Sequence, residues 1–446
     1  MVYREGPEVP EITELPRVLK LRDATMLVVS SVIGVGIFFT PGRVADMLPT
    51  PGWFFAAWLA GGALALAGAL ANAELGSMFP RAGGNYVYLR DAYHPMAGFM
   101  VGWLSFFAIF AGTVATLAVG FSLSLGSFFD LSPLMKTVVS VSVIWIASGV
   151  NAYATRAGAA LNTSTAYLKI AALAALVILG PILGSGRTAE HPFEAAGTGS
   201  IASFGVALSP VIFSYLGWNA SVYVAGEIEN PGKNLPRSLF WGLGICTVIY
   251  LAITATFVHA IGMQKLRGMG GVGFEAGKVL FGDKGSLVVA GIMLASVFGC
   301  LNANVLVGPR IAYAMARDGV FPKVAAALNK EKTPYVAVIV QAGTATALVL
   351  AFKDLSAILD YTTFAITLAT IADTSALYVL RAREPDRERP YRAKGYPVVP
   401  ALYVVANLGI VISLMVSRPW SQTLISVAVL LSGVPMYLLF ARRPST

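Results

Sequence analysis

Twelve apolar segments follow one another along this chain of 446 residues. They lie at 24–48, 52–74, 96–126, 134–153, 160–184, 201–226, 238–262, 285–313, 335–352, 355–380, 398–416 and 421–440. Each comes close to or exceeds the ~20 residues that an α-helix needs to cross hydrocarbon. Charged residues make up 12% of the total, against about 25% in soluble domains. The expected fold class is therefore all-α and integral to a membrane, with about twelve transmembrane helices. Residues 1–21 form a polar segment ahead of the first span. They lack the basic, apolar and cleavage-site pattern of a signal peptide.

The connections organise these spans. Residues 185–200, rich in Ser, Gly and Thr, read as an external linker between two halves, 22–184 and 201–381, of five spans each. Five is odd, so the second half starts from the opposite side and the halves form an inverted repeat. Residues 263–284 read as an external loop. Residues 382–397 read as a basic cytoplasmic loop leading to the last two spans and tail, 398–446.

Lys and Arg set the orientation. With the amino terminus inside, Arg43, Lys136, Arg187, Lys265, Arg267, Lys278, Lys284, Lys353 and Arg418 fall outside. Lys169 falls within a span, and the rest of the 32 cations are cytoplasmic. Both termini are expected in the cytoplasm and the chain in the cell (inner) membrane. The net charge of +9 is then a topology signal and requires no nucleic-acid partner. Cys246 and Cys300 lie in apolar spans as small buried hydrophobes, so no cysteine is left to link a partner subunit.

Within the first span the run Val32-Ile33-Gly34-Val35-Gly36-Ile37-Phe38 carries two glycines. Each costs about 1 kcal/mol relative to alanine in a helix interior, so the helix is expected to unwind here. Unwound backbone at that depth must line a protein-enclosed cavity. The segment Phe213-Ser214-Tyr215-Leu216-Gly217-Trp218, in the first span of the second half, is the matching break. Paired breaks point to a transporter's substrate site. The half-helix starting near Gly36 presents free N–H groups and a positive dipole end, so the amides of Val35 and Gly36 suit a carboxylate. Carbonyls of Val32 and Ile33, and of Phe213, Ser214 and Leu216, suit an ammonium. A zwitterionic α-amino acid fits both poles. The alternative is that these glycines serve only close helix packing, as Gly98 and Gly102 do.

Two ionisable residues lie deep in spans. Lys169 has no acid near it in its own helix, and a lysine at mid-membrane costs ~2.5–3.5 kcal/mol or more. It is either a permanently charged pin or a proton-coupling group. Asp373, in the cytoplasmic half of span ten, either lines the inner pathway or pairs with a polar neighbour. Glu74, Glu227 and Glu229 sit at cytoplasmic helix ends, where Arg81, Arg237 or Arg317 are the expected ion-pair partners. No His-Glu pair on one helix, Ser/His/Asp arrangement or metal cluster is legible. The reading is of no enzyme, no catalytic residues, no metal and no cofactor.

Several motifs resemble the amino acid–polyamine–organocation superfamily of permeases. They are Ile33-Gly34-Val35-Gly36-Ile37-Phe38 with Pro41-Gly42, and Phe79-Pro80-Arg81-Ala82-Gly83-Gly84-Asn85-Tyr86-Val87-Tyr88-Leu89 after Glu74. Glu227-Ile228-Glu229-Asn230-Pro231 follows with Leu235-Pro236-Arg237, then Arg310 with Ala316-Arg317-Asp318-Gly319. Within the superfamily the run Ser296-Val297-Phe298-Gly299-Cys300-Leu301-Asn302 is similar to the L-type exchangers and bacterial serine/threonine exchangers. The resemblance implies a five-plus-five inverted repeat with helices one and six unwound at the substrate, and Phe213 as an aromatic lid. It implies that Lys169 replaces a sodium ion, contacting the Gly34 carbonyl and the Ser296 hydroxyl, so that transport is sodium-independent. Two departures matter. Val35 stands where many members have serine, leaving the amide of that pole but no hydroxyl. Leu216 stands where exchangers of large substrates often have glycine, and favours small neutral amino acids.

The function expected is exchange of small neutral L-amino acids by alternating access. The alternatives are proton-coupled symport through Lys169 or Asp373, and a non-transporting amino-acid sensor of the same fold.

Overall fold

The computed structural model describes residues 15–184, 188–282, 284–352, 355–417 and 420–441. Residues 1–14 of the amino-terminal segment, 185–187 of the linker, Lys353, Arg418 and the tail from 442 lie outside the described residues. The helices are α1 (Leu21–Val32), α2 (Gly36–Met47), α3 (Pro51–Met78), α4 (Asn85–Ala92), α5 (Pro95–Leu125), α6 (Pro133–Tyr153), α7 (Thr155–Leu183) and α8 (Ile201–Tyr215). They continue with α9 (Ala220–Tyr223), α10 (Pro231–Ile261), α11 (Val272–Phe281), α12 (Gly285–Arg317), α13 (Tyr335–Ala351), α14 (Leu355–Arg383), α15 (Val398–Ser417) and α16 (Trp420–Ala441).

Seven of these helices are long and apolar enough to cross a membrane, and α1 with α2 forms one further span bent by 50°. Four shorter apolar helices complete the set. All-helical construction follows from the solvent, because each backbone N–H in hydrocarbon must be satisfied within its own segment. The starts are marked by residues that lose nothing there. Pro51, Pro95, Pro133 and Pro231 stand in first turns, where the absent N–H would be unpaired anyway. Ser132 and Ser200 accept from the backbone N–H groups of Met135 and Ser203.

The helix ends gather on two faces. On one, Ala196 N–H donates to Pro49 at 2.8 Å, Met263 to Pro192 at 3.1 Å and Gly268 to Gly42 at 2.9 Å. The linker and the 263–284 loop, which contains α11, thus cap α2. On the other, Leu19 donates to Glu227 at 2.9 Å and accepts from Glu229 at 2.8 Å. Phe440, near the end of α16, lies 6.0 Å from Phe321 on this same face. Both described chain ends therefore share one side of the bundle. At its centre α1 packs against α7, α10 and α12, and α2 against α8.

Candidate substrate site at two broken helices

Residues 33–35 interrupt the first span. Gly34 N–H turns back to Val32 O at 2.9 Å and Phe38 N–H reaches Val35 O at 3.1 Å. Among the described residues no backbone carbonyl takes the N–H of Val35, Gly36 or Ile37, as the first turn of a helix requires. Three amides at the positive end of α2 form an anion-binding pole without a charged side chain.

Behind this break Lys169 of α7 is fully buried. Its ammonium donates to the carbonyls of Ser30 (3.1 Å), Ile33 (2.9 Å) and Ser296 (3.0 Å). An ammonium has three protons, and each has an acceptor. The contacts differ from those the resemblance implies. The carbonyl is that of Ile33 rather than Gly34, and Ser296 contributes its backbone oxygen while its hydroxyl has no partner among the described residues. The reason is geometric, since α1 ends at Val32 and turns the Ile33 carbonyl toward α7. Lys169 thus ties the carboxyl end of α1 to α12.

The second break begins after Tyr215. Leu216 N–H bonds Phe213 O at 3.2 Å, and Gly217 takes a positive φ of 95°. Only the four-residue α9 and a short turn at Ala225–Glu227 follow, so the second part of this span is much shorter than α2. Tyr250 of α10 joins the two breaks, its hydroxyl lying 2.9 Å from Val32 O and 2.8 Å from Ser214 O. A hydroxyl between Thr40 and Ser214 (2.8 Å) links α2 to α8.

Between the breaks lies a cavity of about 100 Å³, room for several waters. Val32, Val35, Gly36, Phe213, Ser214 and Leu216 line it, as does Gly34. Ile33 and Ile37 do not. Both are fully buried elsewhere, and the Ile33 carbonyl belongs to Lys169. The Val32 and Ser214 carbonyls share Tyr250, so of the oxygens proposed for an ammonium only that of Leu216 has no hydrogen bond among the described residues. Sequence reasoning missed the facing wall. It comprises Thr113 and Thr116 of α5, Asn219, Cys300, Asn304 and Thr370 of α14. The signal lay in these isolated polar residues within apolar spans, and in α5 itself, whose residues Ser105–Phe110 form a π-turn, a feature common at functional sites. No lining residue carries a formal charge.

Asp373 is fully buried, does not line the cavity, and has no ion pair among the described residues, with the Asn85 side chain as its polar neighbour. It sits one turn beyond the cavity-lining Thr370. The glutamates also find other partners than expected. Glu227 pairs with Arg310 (2.7 Å), both fully buried. Glu74 pairs with Arg381 (2.6 Å) and Arg389 (3.1 Å). No ion pair of Glu229 occurs among the described residues. Arg81 and Arg317 line a neighbouring cavity together with Gly226 and, like Arg237, form no ion pair among the described residues, whereas Arg310 of α12 and Arg381 of α14 reach the acids.

A multi-helical bundle with two interrupted spans around an uncharged cavity is the architecture of a membrane transporter. Residues 19–438 match the family described as amino acid permease, and the chain belongs to that family. It is an amino-acid transporter. It is 28% identical to the serine/threonine exchanger SteT of Bacillus subtilis (strain 168), over 97% of this chain and 98% of that protein. It is also 28% identical to the human b(0,+)-type amino acid transporter 1, over 97% of this chain and 89% of the relative. The large neutral amino acids transporter small subunit 2 of Rattus norvegicus matches at 28%, over 95% and 81%.

Proposed function

We propose that this chain exchanges small neutral L-amino acids across the cell (inner) membrane by alternating access, without sodium. The observation that carries the reading is the Lys169 ammonium, held by three carbonyls where α1 and α12 meet. A fixed positive charge there leaves no vacancy for a monovalent cation. The substrate carboxylate is assigned to the amides of Val35 and Gly36, which line the cavity, and its ammonium to the Leu216 carbonyl and the shared carbonyls of Val32 and Ser214. The uncharged wall disfavours cationic or acidic side chains, and Leu216 limits their size. Phe213, half-buried at the rim, serves as the lid. Residues 22–184 and 201–381 act as inverted repeats, and both termini face the cytoplasm. Neither a catalytic residue, a cofactor nor a disulfide-linked subunit has a part in this scheme.

The relatives named as exchangers support this direction, and the test is uptake of labelled serine and alanine into proteoliposomes. It is run in sodium-free buffer with and without unlabelled amino acid inside. Uptake that depends on internal substrate and ignores sodium supports the reading; a sodium requirement overturns it.

One observation favours a second reading, proton-coupled symport. The Lys169 ammonium is fully bonded, whereas Asp373 is fully buried with no ion pair among the described residues and only neutral Asn85 as a side-chain partner, and a buried carboxylate without a counter-charge is costly. Proton coupling would then pass through Asp373. Asp373→Asn distinguishes the two, because it removes stimulation by an inward proton gradient in a symporter and leaves exchange unchanged in an exchanger.

A further inference from the structure

A second cavity, of about 260 Å³, opens on the face that carries the described amino-terminal residues. Four arginines from separate segments line it. Arg17 precedes α1, Arg81 follows α3, Arg90 lies in α4 and Arg317 ends α12. One acid, Asp318, shares the wall, and it is already engaged. The Tyr86 hydroxyl donates to it at 2.6 Å and Arg90 pairs with it. Burial, and then Asp318, push the Tyr86 phenol well above its ordinary range, so the hydroxyl remains a donor to Asp318. Arg90 is further held by Asp91 at 2.8 Å. Arg17, Arg81 and Arg317 have no ion pair among the described residues; Arg317 lies over the Tyr313 ring at 5.8 Å.

Orientation accounts for cations on this face. It does not account for three arginines without an ion pair among the described residues lining one open cavity, where like charges repel. We propose that this cavity binds an anionic phosphate group, gripped by Arg17, Arg81 and Arg317. Guanidiniums present paired donors that match phosphate oxygens, and a multiply charged oxyanion offsets what Asp318 leaves uncompensated. The site has a mechanical consequence. Arg17 stands two residues before Leu19, whose backbone bonds Glu227 and Glu229, and Gly226 itself forms part of the cavity wall. A bound anion therefore ties the amino-terminal strap, the loop after α3 and the end of α12 to the exit of the second broken helix. It stabilises the conformation seen here.

The test uses the full-length protein in nanodiscs of neutral lipid. Thermal unfolding and calorimetry follow titration with inorganic phosphate, with chloride as the control at equal ionic strength. Phosphate is expected to raise the unfolding midpoint saturably and chloride is not. Arg81→Gln with Arg317→Gln should weaken phosphate binding about tenfold or more with an unchanged midpoint in its absence, while Arg43→Gln on the opposite face should change nothing. Repeating the titration in nanodiscs of anionic phospholipid identifies the source. A phosphate response that persists assigns a free ligand, and one that vanishes in wild type assigns a lipid headgroup. An equal response to chloride, or full affinity in the double variant, overturns the proposal. So does a response that appears only after Glu5, Glu8, Glu11 and Glu14 are replaced by Gln, since the chain's own acidic segment would then be the occupant.

Discussion

Gly36 lies so close to Ser214 that a Cβ on it would stand 2.9 Å from the Ser214 hydroxyl and 3.1 Å from its Cα. The contact is reciprocated across the site, where a Cβ on Gly217 would stand 2.7 Å from the Ser31 carbonyl oxygen. Each broken helix thus seats its glycine against a serine of the other. The obstruction at Gly36 includes main chain, which cannot rotate away. Gly36→Val should therefore force the breaks apart, at about 1–3 kcal/mol of strain, and weaken amino-acid binding roughly ten- to a hundredfold. Calorimetry on the purified variant checks this, and unchanged affinity would remove Gly36 from the carboxylate pole.

Replacing Lys169 acts behind the site. Lys169→Met keeps the aliphatic stem and deletes the ammonium, leaving the carbonyls of Ser30, Ile33 and Ser296 without their donor. Each buried carbonyl so abandoned costs about 1–3 kcal/mol. Exchange should fall at least tenfold, with a lower unfolding midpoint, at every pH from 6 to 9. A variant that exchanges normally would show that the tie between α1 and α12 has no part in transport.

What the sequence reveals of this site follows from where its chemistry resides. The breaks were legible because a glycine pair, Gly34 and Gly36, interrupts one apolar run and Gly217 a second in the matching place, and Lys169 because a charge is conspicuous in hydrocarbon. Partner atoms were not legible. Which carbonyl meets Lys169 depends on one peptide orientation at Ile33, a property of φ and ψ that no residue type specifies. The facing wall was hidden for another reason. Thr113, Thr116 and Thr370 lie far from the breaks in sequence, and threonine in a membrane helix most often bonds its own backbone, as Thr116 does to Gly112. Arg310 was recognised as part of a motif, yet its pairing with Glu227 spans 83 positions and requires the packed helices.

Tyr250 serves two carbonyls with one proton, and Val32 O also accepts from Gly34 N–H, so the Ser214 oxygen is the one left open to a substrate ammonium when the Tyr250 hydroxyl turns to Val32. Tyr250→Phe removes the hydroxyl while keeping the ring, which packs 5.0 Å from Tyr215 and 5.8 Å from Trp58. The expected result is a raised KM, by roughly five- to tenfold for one lost hydrogen bond of about 1 kcal/mol or slightly more, with little loss of maximal rate. A variant that loses rate at unchanged KM would place the hydroxyl in the conformational step instead.

The Glu227–Arg310 pair is fully enclosed, and Arg310 also donates to Thr155 at 2.9 Å and to the Leu306 carbonyl at 2.6 Å. Removing one charge strands the other. Glu227→Gln should cost about 3–5 kcal/mol and lower the unfolding midpoint clearly in neutral-lipid nanodiscs. Glu229→Gln, two residues away without an ion pair among the described residues, should leave it nearly unchanged. Equal midpoints for both variants would mean that Arg310 is compensated by its neutral acceptors alone.

Leu216 marks the boundary of the cavity and separates size from charge in the choice of substrate. Its side chain is half-buried at the second break, where the backbone has already left the helix, so shortening it removes volume without removing a helical hydrogen bond. Leu216→Gly should admit leucine or phenylalanine as competitors of serine uptake, while arginine and glutamate remain excluded because the wall still lacks a counter-charge. Glycine also loosens the turn, which separates two causes of any change. Leu216→Ala keeps the backbone restraint and should show the same shift in smaller degree. A competition panel unchanged in both variants would assign size selection to the opposite wall, to Ile109 and Ile366, which line the same cavity.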